Sequence, residues 1–180
     1  MADVCKEYGG GLYLLSSELK QESVFFEELM TIKGILDESP EYVRLLSSPA
    51  VGSSERKALI EQAFGGRVHE YILNFMLLLC DRGYFSYMSG CVETFKKTYY
   101  EKCNISEGTV KSAYDLSEAE KQKLTEALTK KIGNGKKLIL NFVKDESVLG
   151  GFLAEIDGIV VDSTLKTKLS SMKNVLSKPV

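Results

Sequence analysis

Histidine, the commonest catalytic base and metal ligand, is nearly absent from this chain. Histidine occurs once, at His69, which excludes a metal site built on two imidazoles and leaves a catalytic triad only one candidate base. The four cysteines, Cys5, Cys80, Cys91 and Cys103, lie far apart with no C-x-x-C spacing. Neither a zinc site nor a disulfide framework is indicated, and a reducing compartment is the natural reading. A phosphate-binding loop is missing too. Gly135-Lys136-Lys137 lacks both the hydroxyl after the first lysine and the glycine five positions before Gly135, and Gly9-Gly10-Gly11 follows no strand. The adjacent carboxylates Asp145 and Glu146 have no partner base and read as a solvated turn. No apolar run approaches the roughly 20 residues that span a bilayer, and the start of the chain lacks a basic segment followed by an apolar one. A soluble, intracellular chain without cofactor or small-molecule ligand is expected.

Charge is divided unevenly. Residues 1–104 hold 11 Lys and Arg against 15 Asp and Glu, and residues 105–180 hold 12 against 10. An acidic first half argues against a nucleic-acid surface there, since phosphate contacts need a concentrated basic face. At 180 residues the chain should bury roughly 70% of its unfolded surface, which allows one medium domain or two small ones without staples.

The first half is patterned for helices. Val4, Tyr8, Leu12, Leu15 and Leu19 recur at one-face spacing, interrupted by the Gly9-Gly10-Gly11 triplet. Each glycine costs about 1 kcal/mol against alanine inside a helix, so close packing or fraying must account for it. A second helix is predicted over Ser23 to Leu36, with Val24, Phe25, Leu29, Ile32 and Leu36 apolar. A third opens at Pro40, where a missing amide costs nothing, presents Tyr42, Val43, Leu45 and Leu46, and closes before Pro49. Ser53 or Ser54 is expected to cap a fourth, ended by Gly65-Gly66. Tyr71 to Cys80 reads YILNFMLLLC, apolar at nine of ten positions, so this fifth helix is either surrounded by its neighbours or leaves one side for a partner's helix. Gly83 stops it, and Tyr84 to Lys102 forms a sixth with Phe85, Met88, Val92, Phe95 and Tyr99 inside.

At residue 105 the pattern changes, and a domain boundary is expected there. After the polar stretch Asn104 to Gly108, a period-2 run over Thr109 to Tyr114 predicts a strand. Ser117 and Glu120 fit a capping box, and Leu124, Leu128 and Ile132 mark the helix that follows. Gly133-Asn134-Gly135 ends it, and Lys137 to Val143 is a second strand. Phe152, Ala154 and Ile156 alternate with Leu153, Glu155 and Asp157. Asp157-Gly158 then suits a two-residue hairpin turn with positive φ at both positions, leading into Ile159 to Val161. Asp162 or Ser163 would cap a last helix bearing Leu165, Leu169, Met172 and Leu176. The predicted architecture is an all-α six-helix bundle over residues 1–104, followed by a small α/β domain with a short mixed sheet and hairpin over 105–180.

Gly150-Gly151, Ile156, Asp157-Gly158, Val161-Asp162-Ser163 and Leu169 together closely resemble the C-terminal signature of the delta subunit of F-type ATP synthase, the bacterial counterpart of the oligomycin-sensitivity-conferring protein. Upstream, Ser54 to Ile60, Phe64-Gly65-Gly66, Leu73-Asn74-Phe75, Asp81-Arg82-Gly83 and Ser112 to Ser117 fall where that family has similar residues, so the resemblance covers residues 4 to 176. It implies a non-catalytic stator subunit, peripheral on the cytoplasmic side of a bacterial cell membrane, that couples proton-driven rotation to ATP synthesis. Its helical domain would bind N-terminal helices of alpha subunits and its C-terminal domain the C-terminal ends of the b subunits. The apolar periodicity places the candidate groove for an alpha-subunit helix at Tyr8, Leu12, Leu15, Leu19, Ile72, Phe75, Met76 and Leu79. Two other readings start from different features. One is a helical RNA-binding or antitermination module of NusB-like type, which needs a basic face. The other is a thiol-dependent hydrolase using Cys80 and His69.

Overall fold

The computed structural model describes residues 2–132, 136–145, 148, 150–165, 167 and 169. Contacts divide the chain into two units between Tyr99 and Tyr100. The first is helical. It comprises α1 (Ala2–Glu18), α2 (Glu22–Glu38), α3 (Pro40–Ser47), α4 (Ser53–Phe64), α5 (Glu70–Asp81), a 3-10 turn (Phe85–Tyr87) and α6 (Met88–Lys102), whose last residues belong to the second unit.

The buried stripe of α2 is Phe25, Leu29, Ile32 and Leu36, the spacing of one helical face, while Val24, expected inside, is exposed. Likewise Leu46 is the fully buried side chain of α3 and Leu45 faces outward. These join Ile60 and Phe64 of α4, five residues of α5, and Phe85, Met88, Cys91, Val92 and Phe95 in one core. At roughly 2 kcal/mol for each large apolar side chain buried, this core is the main source of the unit's stability.

α1 turns a slightly different face inward than its apolar periodicity indicated. Leu12 is buried as expected, but Gly9, Tyr13 and Ser16 are buried with it, and Leu19 is exposed. The cause lies in Gly9. A methyl group there would lie 2.5 Å from the Cys91 carbonyl oxygen and 2.9 Å from Thr94 Cβ, so glycine permits α1 and α6 to approach at backbone distance. Gly90 makes the reciprocal approach, since a Cβ on it would sit 2.7 Å from Cys5 Sγ. Gly10 and Gly11 meet nothing within 4 Å. Close packing thus explains one glycine of the triplet and leaves two unexplained by the fold.

The helix ends show two departures. α4 begins at Ser53 behind Gly52, with no side-chain cap; the Ser53 hydroxyl instead donates to Asp81 Oδ1 at 2.9 Å, and Lys57 Nζ lies 2.6 Å from Asp81 Oδ2. The start of α4 is therefore tied to the end of α5. His69, a helix-start residue by its place before the apolar run, is the N-cap of α5 but half-buried rather than exposed: its Nδ1 accepts from the Tyr71 amide at 3.4 Å, and Glu28 of α2 accepts from the His69 amide at 2.6 Å. Gly83, at φ +71°, ends α5 as predicted, with the Tyr84 amide bonded to the Leu79 carbonyl and the Gly83 amide to that of Cys80, the paired bonds of a Schellman ending.

The second unit contains β1 (Ile105–Ser112), α7 (Glu118–Ile132), β2 (Lys137–Lys144), β3 (Phe152–Ile156) and β4 (Ile159–Asp162). They form a mixed sheet in the order β2-β1-β3-β4, with β1 parallel to β2 and antiparallel to β3, and β3 antiparallel to β4. β1 starts at Ile105 and ends at Ser112, so the expected strand over 109–114 lies too late. Ser106, Glu107 and Gly108 have weak strand propensity; tertiary pairing with Leu138, Ile139 and Leu140 overrides it. A Cβ on Gly108 would lie 2.5 Å from Ile156 Cγ1, and this tightness is invisible to a reading of local pattern. Val110, Leu128, Leu138, Ala154 and Ile156 form the core between sheet and α7.

The capping box is present. The Ser117 amide donates to Glu120 Oε2 at 2.9 Å, and the Glu120 amide donates back to Ser117 Oγ at 3.4 Å. Asp157 and Gly158 have φ of +49° and +79°, both positive as the two-residue hairpin requires. The predicted helix stop at Gly133-Asn134-Gly135, residue Glu146, and Met172 and Leu176 of the predicted last helix lie outside the described residues.

Candidate functional site

Two open clefts stand out, one in each unit. In the helical unit, a cleft of about 480 Å³ runs between α1 and α5. Tyr8, Leu12, Leu15 and Phe75 line it, as the apolar pattern indicated, together with Glu7, Gly11, Tyr71, Asn74 and Leu78, which the pattern did not select. Ile72, Met76 and Leu79 are fully buried in the core beneath it, and Leu19 is exposed beyond its end. The candidate set thus divides into a lining and a foundation.

α5 explains the division. Its buried face is Ile72, Phe75, Met76, Leu79 and Cys80, and the turn-by-turn opposite edge is Tyr71, Asn74 and Leu78, with both Tyr71 and Leu78 43% exposed. In a run apolar at nine of ten positions, composition cannot distinguish the edge that faces water from the face that does not. Asn74, the single polar residue of that run, was the available signal: it marks the outward edge. On α1, Gly11 has open space where a side chain would be, and Leu14 beside it is 65% exposed. Tyr8 packs edge-on against Tyr84 at 6.2 Å between ring centroids, and Tyr84 against Tyr87 at 6.0 Å. Because Tyr84 follows the C-terminus of α5, these rings close the cleft at that end, while Leu15 and Tyr71 mark the other.

The second cleft, about 820 Å³, lies between α7 and the edge strand β2. Leu140 and Phe142 form its apolar part, and Lys121 lies 5.9 Å over the Phe142 ring. The rest is polar: Glu118 pairs with Lys121 at 2.6 Å, and Gln122, Thr125, Glu126, Thr129 and Lys130 continue the same wall. It is larger, but among its lining side chains only Leu140 and Phe142 are hydrocarbon.

The signature residues of the second unit serve the fold. Gly150 and Gly151 have φ of +125° and +82°; a Cβ on Gly150 would lie 2.7 Å from Leu165 Cδ1, and one on Gly151 would strike the Ser163 carbonyl. Asp157 Oδ2 accepts from Ser106 Oγ at 2.6 Å, which pins the hairpin to β1. Of the two expected caps, Asp162 accepts from the Thr164 amide at 2.9 Å and from Thr167 Oγ1 at 2.7 Å, whereas Ser163 gives its amide to the Phe152 carbonyl. The cap itself is Thr164, one or two residues beyond the expected caps, whose Oγ1 accepts from the Thr167 amide at 3.4 Å. Leu165, Thr167 and Leu169 have helical backbone, with Leu165 and Leu169 exposed.

A hydrolase built on Cys80 and His69 is not assembled. The two sit at opposite ends of α5, roughly 16 Å apart at 1.5 Å per residue, and burial pushes the Cys80 thiol up, away from the thiolate that attacks. Cys91 is pushed up to about 12, first by burial and then by Cys5. Among the described residues no cluster of His, Cys, Asp and Glu suits a metal ion, and no helix is long and apolar enough to cross a membrane.

Residues 4–176 match the family model "ATP synthase delta (OSCP) subunit". The chain is 32% identical over 178 residues to ATP synthase subunit delta of Lachnoclostridium phytofermentans, covering 97% of this chain and 96% of that one. It is 32% identical over 173 residues to the subunit of the same name from Halalkalibacterium halodurans, covering 96% and 94%. The Clostridium kluyveri subunit delta is 29% identical over 173 residues, again covering 96% and 94%. A chain of the Toxoplasma gondii mitochondrial ATP synthase hexamer shares the fold with a TM-score of 0.70 at 17% identity, covering 98% of both chains. The antitermination alternative finds no support in these matches. With nearly its whole length accounted for, the chain belongs to the ATP synthase delta (OSCP) subunit family.

Proposed function

We propose that the groove between α1 and α5 is the surface by which this subunit holds the catalytic head of the ATP synthase. As a member of its family the chain is a stator component of F-type ATP synthase and performs no chemical step itself. A stator must bind well enough to resist the rotor's torque, and apolar area at helix spacing provides such binding. The observation that favours this groove is the edge of α5, where Tyr71 and Leu78 remain 43% exposed above a fully buried face, facing the vacant position at Gly11 across an apolar floor. An N-terminal helix of an alpha subunit is the occupant that the family resemblance implies. We read α1 to α6 as the six-helix bundle of that resemblance, divided from the C-terminal domain near residue 104. The C-terminal domain would bind the ends of the b subunits, with the assembly on the cytoplasmic face of a bacterial membrane.

The test must separate binding from folding. Leu12 and Phe75 are only 5% and 8% exposed, so a charge at either would unfold the unit as well as block the groove. Leu78→Asp places a charge on the exposed edge instead. Calorimetric titration with a peptide of the alpha-subunit N-terminus should show binding by the parent chain and at least tenfold weaker binding by the variant, with an unchanged melting temperature. Equal affinity would remove the groove assignment.

A further inference from the structure

We infer that the occupant of the α1–α5 groove is an amphipathic helix with a basic flank, set over α1 so that its cations meet Glu7 and Glu18; this rests on the groove reading above. The two walls of the groove differ in charge. The α5 wall presents Tyr71, Asn74 and Leu78, and Glu7 on the α1 wall is the only ionisable carboxylate or cation of the lining. Glu7, Gly11, Leu14 and Glu18 follow one another on α1 at spacings of four, three and four, so at 3.6 residues per turn they form a single line along the helix. That line reads acid, vacancy, exposed leucine, acid. Neither Glu7 nor Glu18 makes an ion pair among the described residues, and both are exposed.

Each feature of the line has a counterpart in the partner. The vacancy at Gly11, with nothing within 4 Å of a built Cβ, accepts an apolar side chain between Tyr8, Leu15 and Phe75. Leu14 extends the apolar contact beyond the groove. The carboxylates, eleven residues and so roughly 16 Å apart, fall at the two ends of such a contact and attract lysine or arginine at both. They also repel a helix with an acidic flank, so that specificity arises as much from the rejected partner as from the accepted one. The net negative charge of residues 1–104 acts in the same sense at longer range.

Three synthetic peptides of about twenty residues, roughly five helical turns, provide the test. They share one apolar stripe and differ only in a flank of lysine, glutamine or glutamate. Titrated calorimetrically against the full chain at low salt, the lysine peptide should bind roughly tenfold more tightly than the glutamate peptide, the sum of two exposed ion pairs and two repulsions relieved. The preference should collapse in molar salt and reverse in the Glu7→Lys/Glu18→Lys variant. Equal affinities for the three peptides, an order unchanged in that variant, or no binding by any peptide to the folded chain would overturn the inference. A Gly11→Leu variant distinguishes the two levels: peptides that bind it undiminished sink the groove itself, whereas equal peptides that all fail on it sink only the charge assignment.

Discussion

The helical unit buries Phe25, Phe85 and Phe95 completely, together with Leu29, Ile32, Ile60 and Ile72, whereas the core of the α/β unit consists of Val110, Leu128, Leu138, Ala154 and Ile156. The smaller unit is shaped instead by backbone positions that few residues can occupy, such as Gly108 between strands and Gly150, Gly151 and Asp157-Gly158 at positive φ. The difference separates identity from interaction. Residues that admit little substitution make a recognisable signature, and Gly150, Gly151, Asp157 and Gly158 form one in the turns of the α/β unit. The binding surface proposed for the catalytic head lies in the other unit, on α1 and α5, where many apolar residues would serve equally well.

The glycine triplet of α1 offers the sharpest way to break this comparison, because neighbouring positions are predicted to behave in opposite ways. Gly9→Leu forces a side chain into the Cys91 carbonyl and Thr94 and should cost about 3 kcal/mol or more of the helical unit's stability, the upper range of overpacking. Gly11→Leu enters open space and should leave the melting temperature the same or higher, since glycine is the poorer helix former. Circular-dichroism melts of the two variants decide this. A destabilised Gly11 variant would mean that the position serves the fold, as the signature glycines do.

In the α/β unit the expected effects are smaller. Ser117→Ala removes the capping box and should destabilise α7 by about 1 kcal/mol, seen as faster amide exchange in the first turn of α7 with no change in α1 to α5. The Ser117 hydroxyl, the largest cause, holds the Glu120 carboxyl below the ordinary carboxylate range. A folded-state value below the unfolded one means that this contribution is present above roughly pH 4.3 and fades as pH falls through the folded value. The same sign applies in the helical unit to Asp81, which Lys57 first and then Ser53 hold low. Lys57→Ala should therefore narrow the difference between urea midpoints measured at pH 7 and in acid. A parent chain with no such difference would show that the α4–α5 tie contributes nothing measurable, as many exposed pairs do.

What could be read from the sequence followed from how local each cause is. Period and punctuation located the helices from Glu22 to Asp81, the Schellman ending at Gly83, the capping box and the Asp157-Gly158 turn, all of which depend on residues close together in the chain. Nonlocal causes were hidden. Gly9 rotates α1 against α6, Gly108 fits a strand into a stretch with weak propensity for it, and Ser53 turns from its own helix to Asp81. The groove was half legible for the same reason. Tyr8, Leu12, Leu15 and Phe75 follow from periodicity, but the choice between Tyr71, Asn74 and Leu78 on one side of α5 and Ile72, Met76 and Leu79 on the other depends on where the remaining helices pack.

The most direct measurement of the central claim is the affinity of an alpha-subunit N-terminal peptide for the parent chain and for Gly11→Leu, determined by calorimetry at one salt concentration. Filling the vacancy on α1 should weaken binding at least tenfold while the chain remains as stable as before. Undiminished binding by a folded Gly11→Leu chain would place the head-binding surface elsewhere on the molecule.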